Sequence, residues 1–283
     1  MTVLAPAKVN FTLEVLARRP DGYHEIRSVM QAISLCDKLT LEVGDGITLD
    51  GGNEDAPPDR TNLVYRAAAA LDQAAGGGHG ARIVLDKRIP AGAGLGGGSS
   101  DAAATLLGLN ALWSLDFETE RLMAIGATLG SDVPFFLTAG TALAEGRGER
   151  LTPLPPPPRL WMVVAKPAES LSTPFVYREA DARGAYGAGA PAAWPPRDVA
   201  ALAGRLQNGL AESAFALCPS ARRLRDELLC AGALGALLSG SGSAVLGLAS
   251  DEAHARRMQA EIEMSGIWAI ACHTVALPWK GDE

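Results

Sequence analysis

Five glycines within seven residues, Gly92, Gly94, Gly96, Gly97 and Gly98, followed at once by Ser99 and Ser100, form the densest chemical signal in the chain. Backbone N–H groups converging at a helix N-terminus, backed by the positive end of the helix dipole, suit an anionic phosphate chain, and glycine lets the backbone approach it closely. A plain turn needs one or two glycines, and five add ordering entropy that a turn does not require. The flanks agree. Residues 81–89 hold Ile83, Val84 and Leu85 in a strand-like run, and residues 102–113 place Leu106, Leu109 and Trp113 at helical spacing. Ser99 or Ser100 is expected to cap that helix. The run Pro90-Ala91-Gly92-Ala93-Gly94-Leu95-Gly96-Gly97-Gly98-Ser99-Ser100 therefore reads as a phosphate cradle between a strand and a helix.

Spacing separates the possible cradles. A P-loop needs Lys and then Ser or Thr after its last glycine, and Gly97 is followed by Gly98 and Ser99. Gly92-Ala-Gly94-Leu-Gly96-Gly97 satisfies the dinucleotide pattern, with Asp116 downstream for a ribose contact, which keeps an oxidoreductase as a rival. That pattern demands a strand ending at the acid, whereas residues 110–121 read as a helix end, a turn and a second helix start. The His-Arg-Asp and Asp-Phe-Gly motifs of protein kinases are absent. A non-catalytic nucleotide-binding regulator is a further rival.

Composition narrows the partners. With 283 residues, 48% of them hydrophobic, the chain can bury a large core and form two domains. A net charge of −7 argues against general nucleic-acid or membrane-surface binding, both of which favour a basic face. Cys36, Cys218, Cys230 and Cys272 form no Cys-x-x-Cys pair, and His24, His79, His254 and His273 form no His-Glu-x-x-His. Neither a structural zinc nor a disulfide framework is expected. No apolar leader segment opens the chain, so a reducing cytoplasm is the expected location, and nothing calls for an obligate protein partner. Residues 228–250 lack charge, but Ser239-Gly240-Ser241-Gly242-Ser243 breaks them into strand, loop and strand rather than a membrane span.

The elements that must position the cradle follow from periodicity. Val9, Phe11, Leu13 and Val15 mark one face of an opening strand, with Lys8 and Asn10 on the other. Pro20, Asp21 and Gly22 break the chain before Tyr23 and His24. Residues 25–35, 38–43 and 47–50 predict further strands of an antiparallel meander. Thr61 or Asn62 caps a helix to about Ala75, and a second helix spans 117–129, ending where Ser131 and Asp132 could cap a short helix that starts with Pro134. Residues 140–150 read as a hairpin and 151–158 as a stiff polyproline linker, which sets the domain boundary. Beyond it come a strand at 160–166, a mobile loop at 183–197, helices at 220–231 and 251–265, and strands at 233–238, 244–248 and 268–276.

The string from Pro90 to Ala104 resembles the ATP-binding motif of the GHMP kinases, the superfamily of galactokinase, homoserine kinase and mevalonate kinase. Its Gly-Leu-Gly-Gly-Gly-Ser-Ser-Asp-Ala-Ala form, with Asp21-Gly-Tyr23-His24-Glu, is most similar to the 4-diphosphocytidyl-2-C-methyl-D-erythritol kinases of non-mevalonate isoprenoid synthesis. Ala5-Pro-Ala-Lys8-Val-Asn10, Gly130-Ser-Asp132-Val-Pro-Phe-Phe136 and residues 239–243 match further motifs in the same order. The resemblance implies a two-domain α+β fold: a ribosomal-protein-S5-like ATP-binding domain at 1–152 and a ferredoxin-like domain at 159–283, with the site between them. It implies ATP on Pro90 to Ser100, with Mg²⁺ on Ser99 or Ser100. It implies Asp132 as the base toward the accepting hydroxyl and Lys8 as its catalytic partner. The acceptor, a small molecule with a cytidine diphosphate moiety, is then held by Asn10, Tyr23, His24, Thr173, Tyr177, Gly240 and Ser241. A sibling mevalonate- or homoserine-type kinase is the nearest alternative. Two departures stand out: Gly209 and Ala211 replace acids that relatives carry beside Asn208, and Ser243 replaces their usual Pro or Ala.

Overall fold

A computed structural model describes residues 1–54, 56–138, 140–187 and 194–277. The first half is built on β1 (Thr2–Arg18) and β2 (His24–Val43), a long antiparallel pair. β3 (Ile47–Gly51), α1 (Leu63–Ala74), β4 (Ala81–Asp86), α2 (Gly97–Leu112) and α3 (Thr119–Leu129) follow. A 3₁₀ turn, Pro134–Leu137, leads into the hairpin β5 (Thr141–Gly146) and β6 (Arg150–Pro153). The second half holds β7 (Trp161–Lys166), α4 (Thr173–Arg183), α5 (Val199–Ala203), β8 (Gln207–Asn208), α6 (Ala211–Leu217), α7 (Pro219–Cys230), β9 (Ala236–Leu238), β10 (Val245–Ala249), α8 (Glu252–Met264) and β11 (Trp268–His273).

Two departures from the predicted strands have physical causes. Residues 25–43 form one strand rather than two, because the Cys36-Asp37 break in the apolar pattern is buried and satisfied. Asp37 accepts from the amides of Arg88 and Ile89 and from Lys87. β3 is not a meander neighbour of β2 but pairs in parallel with β4, at the sheet edge. On β4 the alternation holds, with Ala81, Ile83 and Leu85 buried and Arg82 and Asp86 exposed. That face packs on α1 and α2 through Val64, Ala67, Leu71, Ala102, Leu106 and Leu109. Asn62 caps α1 by accepting from the Val64 amide.

The second sheet runs β11-β7-β10-β9, all antiparallel. Numbered within that half, the order is 4-1-3-2 with helices between strands one and two and between three and four, the ferredoxin-like arrangement. The halves are not independent layers. Val9 and Phe11 of β1 pack with Met162 and Val164 of β7 and Leu246 of β10, which makes β1 a strand buried on both faces. β8 returns from the second half to pair in parallel with Thr12 and Leu13 of β1. The expected boundary at 151–158 falls between β6 and β7, with β6 taking its first residues. The loop expected at 183–197 lies partly outside the described residues.

Candidate active site

The glycine run forms α2 from its second half. Gly92, Gly94 and Gly96 have φ of 61°, 76° and 70°, the left-handed region that a side chain disfavours. At Gly94 the need is also spatial, since a Cβ would lie 2.2 Å from the Ser239 carbonyl oxygen. Gly96 is the N-cap, so Ser99 and Ser100 fall inside the first turn instead of capping it. Four successive carbonyls turn inward. Ala93 O accepts from the Ala244 amide, Gly94 O from Ser239 Oγ, Leu95 O from the Lys8 amide and Gly96 O from the Ser100 amide. The first-turn amides of α2 have no intrahelical acceptor, which makes the rim of this loop a donor surface.

Beneath the loop sits a cluster that motif spacing did not reveal. Lys87 Nζ donates to Asp37 and, at 2.9 Å, to Asp101 Oδ2, with all three side chains buried. Burial pushes the Asp101 carboxyl up to about 7, with Lys87 opposing and Asp37 reinforcing the shift. Burial lowers the Lys87 ammonium, but the two carboxylates outweigh it and hold the pKa above its ordinary value.

Strand β1 delivers Lys8 and Asn10 to the helix side of the sheet, opposite Ala32 and Met30 of β2. Both are buried, unlike most lysines, which stay solvated at the surface. Lys8 Nζ donates to Asn10 Oδ1 at 2.8 Å, and Asn10 Nδ2 donates to Ser28 Oγ at 2.7 Å. Lys8 Nζ also stands 3.9 Å from Asp132 Oδ2. Burial depresses the Lys8 pKa, while the Asp132 charge opposes the shift. Asp132 caps nothing: Val133 occupies the cap position of the 3₁₀ turn, without a side-chain bond. The carboxylate is instead left partly exposed toward the cleft.

Lys8, Asn10, Ser99, Asp132, Tyr23, His24, Thr173, Tyr177, Gly240 and Ser241 border one cavity of about 860 Å³, together with Gly94 and Gly96. The remaining cradle residues, Pro90, Ala91, Gly92, Ala93, Leu95, Gly97, Gly98 and Ser100, do not border it. Ala93 and Leu95 are buried with their carbonyls already engaged, and Ser100 Oγ is buried without a hydrogen-bond partner. The 239–243 loop packs against the glycine run, with Ser239 Oγ donating to Gly94 O. A Cβ at Gly240 would lie 3.4 Å from Lys8 Nζ, and the Ser241 and Thr173 hydroxyls are 2.7 Å apart. Asn208 secures this loop by donating to Leu238 O and Gly240 O, and Gly209 N donates to Leu13 O, so the segment is held without the two replaced acids.

The aromatic end is arranged differently from a simple two-tyrosine slot. Tyr23 is 55% exposed, with the Arg147 guanidinium 4.7 Å over its ring. His24 is buried and stacks on Tyr177, with centroids 4.6 Å apart and an interplanar angle of 25°. Burial, with the charge of Asp132, pushes the Tyr177 hydroxyl up to about 12. Sequence reading missed Arg18, Arg147, Arg178 and Asp181 in this wall. Asp181 had a usable signal, since Thr173, Tyr177 and Asp181 recur every four residues and so share one face of α4. Arg147 had none.

Asp116, the acid of the dinucleotide pattern, sits at φ 53° in the turn after α2, with no strand before it. The geometry that pattern requires is absent here.

Comparison with known proteins places the chain in a family. Residues 62–140 match the GHMP kinases N terminal domain and residues 196–265 match GHMP kinases C terminal. The 4-diphosphocytidyl-2-C-methyl-D-erythritol kinase of Geobacter sp. (strain M21) is 44% identical over 281 residues, covering 97% of this chain and 99% of that one. The enzyme of the same name from Pelotomaculum thermopropionicum is 46% identical over 271 residues, 92% and 93% of the two chains. A crystal structure of 4-(cytidine 5'-diphospho)-2C-methyl-D-erythritol kinase superposes with a TM-score of 0.84 at 43% identity, covering 97% of this chain and 99% of that one.

Proposed function

This chain belongs to the GHMP kinases, within them to the 4-diphosphocytidyl-2-C-methyl-D-erythritol kinases, and from that premise we propose the reaction its cleft performs. It transfers the γ-phosphoryl group of ATP to the 2-hydroxyl of 4-diphosphocytidyl-2-C-methyl-D-erythritol, giving the 2-phosphate and ADP. The observation that carries this reading is that one cavity is bordered both by Lys8 and Asp132, 3.9 Å apart, and by Tyr23, His24 and Tyr177. The first pair suits phosphoryl transfer to an alcohol, and the aromatic group suits a flat base.

Phosphoryl transfer asks the protein chiefly for alignment and charge stabilisation. Asp132 accepts the proton of the attacking hydroxyl, and its partly exposed carboxylate is free of capping duty. Lys8, aimed by Asn10 and Ser28, neutralises charge on the moving group. The α2 amides receive the phosphates, and the inward carbonyls keep acceptors away from them. The Thr173–Ser241 pair and the Asn208-held loop fix the wall against which the acceptor lies.

Mg²⁺ bound here would neutralise phosphate oxygens during transfer. The donor set fits a mostly hydrated ion, because no group of three or more His, Cys, Asp or Glu side chains converges among the described residues. Ser99 is the hydroxyl that would hold it, since Ser99 borders the cavity and Ser100 is enclosed beneath. The four cysteines are free thiols, which goes with the reducing cytoplasm expected for this chain. No helix among the described residues is long and apolar enough to cross a membrane.

The test is ADP release with the cytidylyl acceptor, mevalonate, homoserine and galactose offered separately. Turnover on the cytidylyl acceptor at least a hundredfold above the others is expected, and a preference for any other acceptor would overturn the reading.

A further inference from the structure

His24 meets the second half of the chain through the Tyr177 ring and one carboxylate. Asp181 lies one helical turn beyond Tyr177 on α4, and its Oδ1 stands 2.6 Å from His24 Nε2. The Tyr186 hydroxyl donates to the same oxygen, and Arg18 Nε approaches Oδ2 at 3.8 Å. A carboxylate cannot donate, so the proton of this contact belongs to the imidazole, on Nε2. Nδ1 has no partner among the described residues. The Arg18 guanidinium gives Asp181 a cationic neighbour apart from the ring. Partial burial pushes the Asp181 pKa up, but the bonds from Tyr186 and His24 lead the effects that outweigh it and hold it below the ordinary carboxylate value.

We propose that Asp181 is a positioning residue: it holds His24 by Nε2–H and leaves Nδ1 as a bare acceptor, which selects a base with an exocyclic amine over one with a carbonyl. The inference rests on the cytidylyl reading above and extends it to a residue outside the motifs. Cytosine offers an amino donor where uracil offers an oxygen, so a ring nitrogen that can only accept welcomes the first and leaves the second unpaired. Tyr177 stacks on the His24 ring and Asp181 grips its edge, so α4 fixes both its plane and its rotation. The ring orientation is thus set by a helix of the second half acting on a strand of the first. A second ring nitrogen oriented by a carboxylate contact is a general way to fix a histidine tautomer.

Two measurements test this on the full chain. Long-range proton–nitrogen NMR of the wild type without nucleotide should give His24 a protonated Nε2 and a bare Nδ1. A proton on Nδ1, alone or with Nε2, would overturn the proposal. In turnover, wild type should prefer the cytidylyl acceptor to its uridylyl analogue by at least about tenfold, the effect of one mispaired buried group. Asp181→Leu should lose at least about fivefold of that preference, chiefly through a higher KM for the cytidylyl acceptor. Asp181→Asn, whose amide oxygen still accepts from Nε2–H, should retain most of it, and decides the matter if the leucine variant does not fold. Unchanged preference in a folded Asp181→Leu, or an Asp181→Asn no better than Leu, overturns the role of Asp181 alone. A wild type that phosphorylates neither acceptor overturns the substrate reading, and base selection with it.

Discussion

At the scale of single residues, the chemistry rests on a lysine that folding has made abnormal. Lys8 is buried with Asn10 as its hydrogen-bond partner and Asp132 as its nearby counter-charge. Asp132→Asn removes the proton acceptor and should lower kcat by about 10² to 10⁴ while leaving the KM for ATP nearly unchanged. A loss below tenfold in steady-state assays would remove Asp132 from the chemistry. The same substitution bears on Lys8. Burial depresses its pKa and Asp132 opposes that, so the charged form needed for transfer is lost as pH rises through a value below the ordinary lysine range. The alkaline limb of kcat/KM in wild type should report this, and nitrogen NMR of Lys8 in Asp132→Asn should show a still lower pKa, because the opposing charge is gone. An unchanged or raised value there would contradict the assigned coupling. Lys8, Asn10 and Asp132 were legible because their motifs are contiguous and local. The burial of Lys8 and Asn10 was not, since the alternation of β1 shows one apolar face and cannot show that α2 covers the other.

At the scale of elements, the loop into α2 separates two effects that the sequence merges. From the sequence, a side chain at Gly96 or Gly97 is expected to hinder backbone approach to the phosphates. In the fold, a Cβ at Gly97 meets Ile89 Cγ2 at 2.9 Å and Lys87 Nζ at 3.0 Å, under the loop rather than on its rim. Gly98 is exposed, and its Cβ would meet only Leu63 Cδ1 at 3.4 Å. Gly97→Val should therefore destabilise the fold by about 1–3 kcal/mol through overpacking, along with any effect on ATP. Gly98→Ala should leave Tm unchanged or slightly raised, as Ala replaces Gly in a helix, yet raise the KM for ATP. Calorimetry and ATP titration of the pair distinguish the roles, and unchanged ATP affinity in Gly98→Ala would move the phosphates away from this turn. The serine caps were misplaced for a related reason: a left-handed glycine took the cap, and nothing in the residue types distinguishes Gly96 from its neighbours. Likewise Asp37 looked like a strand break until Lys87 and the amides of Arg88 and Ile89 came to meet it from a distant segment.

At the scale of the molecule, composition and a proline-rich stretch suggested two domains, and the two sheets are there. What the chain could not disclose is how far each half completes the other. β8 is two residues long, too short to leave a periodic trace, yet it adds a parallel edge to β1. Leu13, Val15 and Ile26 of the first half pack with Val176, Leu210, Phe215 and Val245 of the second. Val275 N donates to Ala32 O, tying the end of the second half to the middle of β2. Separating the halves would expose these side chains and Val9 and Phe11 to water, at about 1.5–3 kcal/mol for each large apolar side chain. Such a cost is large beside the usual 5–15 kcal/mol stability of a whole domain. The full chain should therefore unfold in one calorimetric transition, with van't Hoff and calorimetric enthalpies in agreement. A fragment of residues 1–152 should bind a hydrophobic dye and melt without a cooperative transition. Two resolved transitions in the full chain, or a cooperative fragment that binds no dye, would mean that the halves stand alone and that the cleft between them is free to open without unfolding.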